Sequence, residues 1–230
     1  TVALIGLDGS VDWLPLPNIH SRPVFARIVD ESAGGCIELE PVEEYEVTRR
    51  YIPRTNVLET TFTTATGVAT LTDAMVTGIA GRLPWAELAR RVDGVKGEIE
   101  FAWCVQPGTM LRSASPWTER IDGFSIMRIG HVSLAVVGHE HGIDGEPDSR
   151  NESIDGGFTT SKGSRHLLVI AATEGEPLRI PDARNVDRGI DRTIGGWSMW
   201  SDEFSYEGPW ADDVQRSALA LKLLLFSPTG

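Results

Sequence analysis

Asp12 and Trp13 are adjacent, and a carboxylate beside an indole is a pairing suited to sugars. The acid takes hydrogen bonds from hydroxyls while the ring covers an apolar face of the pyranose. The structural alternative is that Asp12 caps a turn and Trp13 fills a core. Asn18 and His20 follow on the next loop, as further sugar contacts or as solvated loop residues. His139, Glu140 and His141 suggest a metal, but they lack the i, i+4 histidine spacing of a helical zinc site and have no third ligand nearby in sequence, so no metal site is expected. Glu43 with Glu44, Glu98 with Glu100, and Asp212 with Asp213 are pairs of acids that general acid–base chemistry could use. Acids at such spacings on strands and helix starts are usually solvated or capping. Trp197, Trp200 and Trp210 gather in the last seventh of the chain, as interface packing or as stacking surfaces. No GxSxG, Walker loop, GxGxxG or CxxC framework is present, which removes support for serine hydrolase, nucleotide and zinc-ribbon readings.

The chain that positions these residues has 230 residues, 41% hydrophobic and 23% charged, the usage of an ordinary globular protein. Lys and Arg number 21 against 33 Asp and Glu, a net charge of -12. That sign repels phosphate backbones and anionic lipid heads, so nucleic acid and membrane surfaces are excluded as partners. No apolar run approaches the ~20 residues of a bilayer span. Cys36 and Cys104 read as reduced core thiols, with nothing in their context to pair them. The chain opens at Thr1 without a basic segment and apolar core of the signal-peptide kind, and it closes on Ser227-Pro228-Thr229-Gly230 straight after an apolar run. Both ends look cut, and a cytoplasmic location is expected.

From Val2 to about Thr173, short runs rich in Val, Ile, Thr and Phe alternate with turn signals, which predicts an antiparallel β-sandwich. Asn56 to Thr64 and Val68 to Asp73 form one predicted hairpin across Thr66-Gly67. Asp93-Gly94 predicts a second turn between Glu87–Val92 and Glu98–Gln106, and Asp122-Gly123 introduces a strand over Phe124–Ile129. A short helix is expected after Ser21, with Pro23 in its first turn and Phe25, Ile28 and Val29 at helical spacing. The acidic, Gly- and Ser-rich stretch from Gly142 to Gly157 reads as an exposed loop. After Pro181 the period changes: Val186, Ile190, Ile194 and Trp197 form the stripe of an amphipathic helix, although Gly189, Gly195 and Gly196 work against it. A second helix is predicted from about Pro209 to Phe226. Its half from Leu219 on is apolar almost all round, so it needs neighbours on several sides.

Leu7-Asp8-Gly9-Ser10-Val11-Asp12-Trp13-Leu14-Pro15-Leu16-Pro17 resembles the opening of the N-terminal domain of bacterial glycoside hydrolase family 15 proteins, the trehalase-like and glucoamylase-like enzymes, which read DGSIDWLCLPRFDSP. Further strings follow in the same order: Ser21 to Ala26, Gly34-Gly35, Glu44 to Pro53, Thr55 to Phe62 and Arg90 to Gly97. Trp197 with Trp200, Gly208-Pro209 and Arg216 to Leu224 resemble the start of the family's catalytic domain. The similarity spans nearly the whole chain and is weak between about Met110 and Arg165.

The resemblance implies a mainly β fold: an antiparallel β-supersandwich over 1–180, a linker helix region over 181–207, and over 208–230 the first helix of a truncated (α/α)6 barrel. For the intact protein it implies hydrolysis of an α-glucosidic bond with inversion. A protonated Glu serves the leaving oxygen and a second Glu, roughly 6.5–9.5 Å away, activates water. Both glutamates lie in barrel segments beyond the matched region, so no catalytic residue is assigned here and the chain itself is expected to be inactive. No cofactor is implied. The implied partner is an α-glucoside or oligosaccharide, with homo-oligomer formation left open. Asp12, Trp13, Asn18 and His20 are the candidate substrate contacts. Asn18 and His20 replace the family's Arg and Asp in that loop, and Pro15 replaces its Cys, which puts the loop's specificity in doubt. A stand-alone carbohydrate-binding sandwich and a module for subunit association are the alternative readings.

Overall fold

The structure is a computed structural model that describes residues 1–78, 85–139, 146–147 and 153–225. It is mainly antiparallel β-sheet with two helices at its C-terminal end. The strands are β1 (Leu4–Ile5), β2 (Val11–Pro15), β3 (Pro23–Phe25), β4 (Gly35–Pro41), β5 (Tyr45–Tyr51), β6 (Leu58–Thr64), β7 (Gly67–Met75) and β8 (Ala86–Pro107). They continue as β9 (Trp117–Ile121), β10 (Phe124–Ile129), β11 (Val132–His139), β12 (Glu146–Pro147), β13 (Ile154–Ser161) and β14 (Arg165–Glu174). The helices are α1 (Ala183–Asp202) and α2 (Ala211–Leu224).

One strand organises the sandwich. The first half of β8 lies between β7 and β14, in an array that runs β5-β6-β7-β8-β14-β11-β10-β9. Its second half lies between β4 and β13, in an array that runs β1-β2-β4-β8-β13-β12. Asp93-Gly94 therefore does not close a hairpin, as the sequence predicts, but marks where β8 passes from one sheet to the other. The pairing skips a residue here, with Ala69 opposite Gly94 and Val68 opposite Lys96. A Cβ at Gly94 would stand 2.0 Å from the Ser161 carbonyl oxygen. The Asp-Gly pair supplies room for a bulge that bends the strand. At Asp122-Gly123 both residues have positive φ, 50° and 85°, and here the two-residue turn does form, joining β9 to β10.

The sheets enclose one core and α1 covers a second. Leu88, Leu134, Val136, Leu168 and Ile170 face the other sheet, together with Phe62, Phe101 and Trp103. Ala89, Ala135, Val137, Leu167 and Val169, their alternate neighbours, face α1 through Val186 and Ile190. The continuous apolar run of β14 follows from burial on both faces. Small side chains at Ala74, Ala89 and Ala135 let the helix come close. Gly189 is required there, because a Cβ at that position would stand 2.9 Å from Val76 Cγ1. Asp182 caps α1 by accepting a hydrogen bond from the Arg184 N–H at 3.0 Å.

The short helix expected after Ser21 is absent. Pro23–Phe25 is a strand on β2, with Phe25 opposite Leu14, and a tight turn follows in which the Val29 and Asp30 N–H groups both donate to the Ala26 carbonyl. Val24 and Phe25 are fully buried whereas Ile28 and Val29 are exposed, so the apolar spacing read as a helical stripe belongs to two different environments. Cys36 and Cys104 are free but lie on neighbouring strands, Cys36 opposite Gln106 and Cys104 opposite Glu38. Burial pushes the Cys36 thiol up to about 12, which keeps it protonated and unreactive. Glu140 and His141, and most of the Gly142 to Gly157 stretch, lie outside the described residues.

Candidate functional site

The loop that the sequence singles out divides in the structure. Asp12 and Trp13 are on β2, Trp13 opposite Leu4 of β1. The Asp12 carboxylate accepts from Arg27 Nε at 2.8 Å and from Ser10 Oγ at 3.1 Å. Arg27 also donates to Glu38 at 2.5 Å and to Cys36 Sγ at 3.2 Å. Burial works against the Arg27 charge, but Glu38, Cys36 and Asp12 outweigh it and hold the guanidinium pKa above its ordinary value. Asp12 is thus committed to an ion pair that fixes the turn after β3 onto β2. His20 is exposed at the loop tip. Asn18 is tied by its N–H to Ser21 Oγ at 3.2 Å and lines the main cavity of the described structure.

That cavity has a volume of about 770 Å³, within the range of small-molecule sites. Its walls come from the N-terminal segment, the ends of β5, β7 and β8, and both helices. Trp85, just before β8, and Glu87, near its start, stand two apart and both line the cavity. Trp85 Nε1 donates to Glu87 Oε2 at 2.9 Å. Burial raises the Glu87 carboxyl above its ordinary range, against the pull of the Trp85 hydrogen bond and of Arg192. Tyr51 and Trp197 add two more aromatic rings, and Glu174, Glu176 and Lys222 add charged groups. Arg49, also on the wall, is engaged by the Ile5 and Gly6 carbonyls, and Arg50 by Glu59 at 2.8 Å.

Beneath the cavity lies a fully buried ion pair. Arg90 Nε donates to Asp73 at 2.7 Å, and a second nitrogen of Arg90 donates to the Gly9 carbonyl. Arg90 Nη1 has no partner among the described residues. This pair joins β7, β8 and the turn before β2, and Asp73 also lines the cavity.

The remaining acid pairs do not converge. Glu98 and Glu100 point to solvent from β8, and Asp212 and Asp213 occupy the first turn of α2, where a helix favours negative charge. Glu43 accepts from the Thr66 hydroxyl. No group of three or more His, Cys, Asp or Glu side chains able to hold a metal occurs among the described residues, and none of the described helices is long and apolar enough to cross a membrane. The Trp197–Trp200 pair is edge-to-face at 6.4 Å, while Trp210 is exposed. Sequence reasoning missed Trp85 and Glu87. The signal was the i, i+2 placement of an indole and a carboxyl at the start of a strand.

Residues 1–108 match the family model described as "Trehalase-like, N-terminal". Over 100% of its length the chain is 28% identical to a trehalase of Thermoplasma volcanium and 30% identical to a trehalase of Mycobacterium tuberculosis. It covers 36% of each, and so spans little more than a third of these relatives. Among solved structures, a putative kojibiose phosphorylase from human microbiome aligns over 80% of this chain and 27% of its own, with 8% identity and a TM-score of 0.39.

Proposed function

We propose that the chain is the N-terminal, non-catalytic region of an inverting α-glucosidic hydrolase of glycoside hydrolase family 15, with an α-glucoside such as trehalose as the substrate of the intact protein. The observation that carries this reading is the similarity to trehalases along the whole chain, helices included, combined with coverage of only 36% of their length. In this reading 1–180 is the supporting sandwich, 181–207 the linker and 208–230 the first helix of the catalytic barrel. The surface of α2 supports that division: Leu221, Leu224 and Leu225 are exposed, and a helix end with this much apolar area packs against further protein.

The two catalytic glutamates are then supplied by the rest of the protein, and the described domain contributes scaffold and entrance. Of the four residues proposed from sequence to touch substrate, Asn18 is the one on the cavity wall, and His20 is placed on the exposed loop beside it. Asp12 holds the turn after β3 through Arg27, and Trp13 holds β2 against β1. Proton NMR of the complete reading frame's product acting on trehalose tests the reaction. Inversion releases one β-glucose and, from the leaving ring, one α-glucose per trehalose, whereas α-glucose as the sole initial product, or no hydrolysis of any α-glucoside, overturns the proposal.

A further inference from the structure

We infer that the 770 Å³ cavity beside β8 is itself a saccharide-binding site that holds a neutral glucoside of one or two rings against Trp85 and Glu87. The inference rests on the hydrolase reading only for the kind of sugar supplied to it. The polyhydroxylated character of the ligand follows from the walls.

Two aromatic rings at the cavity are fixed in place by cations. The Arg179 guanidinium lies 5.5 Å from the centre of the Trp85 ring, and the Arg216 guanidinium lies 4.1 Å from that of Tyr51. Trp85 is held a second time through its hydrogen bond to Glu87. Rings ordered before a ligand arrives lose little side-chain freedom on binding, so the apolar faces of a pyranose find a prepared surface. Packing alone explains an aromatic wall, but not the carboxyl set into it. Glu87 is buried and, among the described residues, has a single side-chain hydrogen bond, to Trp85, through one of its two oxygens.

The charges select a neutral ligand. Glu87, Glu174 and Glu176 stand against an anion such as a phosphate, and Lys222, Arg49 and Arg50 stand against a cation. Those two arginines are in addition already engaged by protein acceptors. The free oxygen of the Glu87 carboxyl, set into the aromatic wall, can accept hydrogen bonds from sugar hydroxyl groups. Asn18 supplies an amide on the remaining wall. Hydroxyls in every direction with apolar ring faces between them is the ligand chemistry that these groups complement.

Titration of the 230-residue chain with trehalose and with maltose, followed by the indole N–H resonance of Trp85, tests the site. The resonance is identified by its loss in Trp85→Phe. The expected result is a saturable shift below about 100 mM sugar, since even a millimolar Kd saturates there. Glu87→Gln and Asn18→Ala should each weaken binding at least about threefold and Trp85→Ala at least about tenfold. Asn18 is on a loop, so its variant reports on the site even where Trp85→Ala fails to fold. An absent shift overturns the inference, as does binding left unchanged by both Glu87→Gln and Asn18→Ala. Hydrolysis by the longer protein without binding here leaves the proposed function standing and removes only this site; binding without hydrolysis does the reverse.

Discussion

The side-chain amide of Asn56 donates to the backbone carbonyl of Leu219 at 2.9 Å, tying the loop between β5 and β6 to the last helix. Asn56 also accepts from Arg216 of the same helix, and Arg216 donates to the Thr55 carbonyl at 2.7 Å while covering the Tyr51 ring. The middle of α2 is thus docked on the sandwich by polar contacts, while Leu221 and Leu224 are exposed.

Asn56→Ala removes the donor to Leu219 and the acceptor for Arg216 together. It should loosen α2 by about 1–3 kcal/mol, because a partly buried guanidinium and a carbonyl lose their partner. Hydrogen exchange checks this: amides of 211–224 should exchange faster while those of β8 are unchanged.

The Asp73–Arg90 pair is wholly buried. Removing one member strands a charge, so Arg90→Met should destabilise the fold by about 3–5 kcal/mol, whereas Asp73→Leu combined with Arg90→Met should cost much less. Urea midpoints of the parent, of Arg90→Met and of the double variant measure the difference.

Glu87 gives a pH dependence of fixed sign. Its carboxyl is raised above the ordinary 4.5 chiefly by burial, so between 4.5 and the raised value the folded chain holds more protons than the unfolded one. This group's contribution to stability therefore falls as pH rises through that window. Glu87→Gln removes the titration, and its Tm should match the parent below pH 4.5 and exceed it at neutral pH.

A network of five charges fastens α1 to the sheet: Arg91 donates to Asp187 and Asp191, each at 3.0 Å, and Arg165 joins Asp93 at 2.7 Å and Asp187 at 3.0 Å. Arg91 is nearly buried while Asp191 is exposed. Arg91→Met should cost about 1–2 kcal/mol, and salt should weaken the parent more than the variant. Thermal melts at low and high salt check both.

The strand pattern was legible because its cause is local. Leu58, Thr60 and Phe62 alternate with solvent-side residues, and Val186, Ile190 and Ile194 recur at helical spacing, so each reports its own face. Asp93-Gly94 misled because the same dipeptide serves a turn and a bulge, and the choice depends on β4, β13 and β14, whose partnership with β8 is not written near residue 93. Gly189 counted against a helix until Val76, more than a hundred residues earlier, supplied its reason. The site was less legible for the same cause. Asp12 stands in the most distinctive motif, yet it is engaged by Arg27, which it shares with Glu38, while Trp85 and Glu87 gain their meaning from the N-terminal segment and α1 across the cavity.

The central claim is that this domain belongs to an α-glucosidic hydrolase without carrying its catalytic groups. Glucose release from trehalose, compared between the 230-residue chain and the product of the complete reading frame, measures it. We predict release by the longer protein and none by the chain alone; sustained release by the chain alone would contradict the claim.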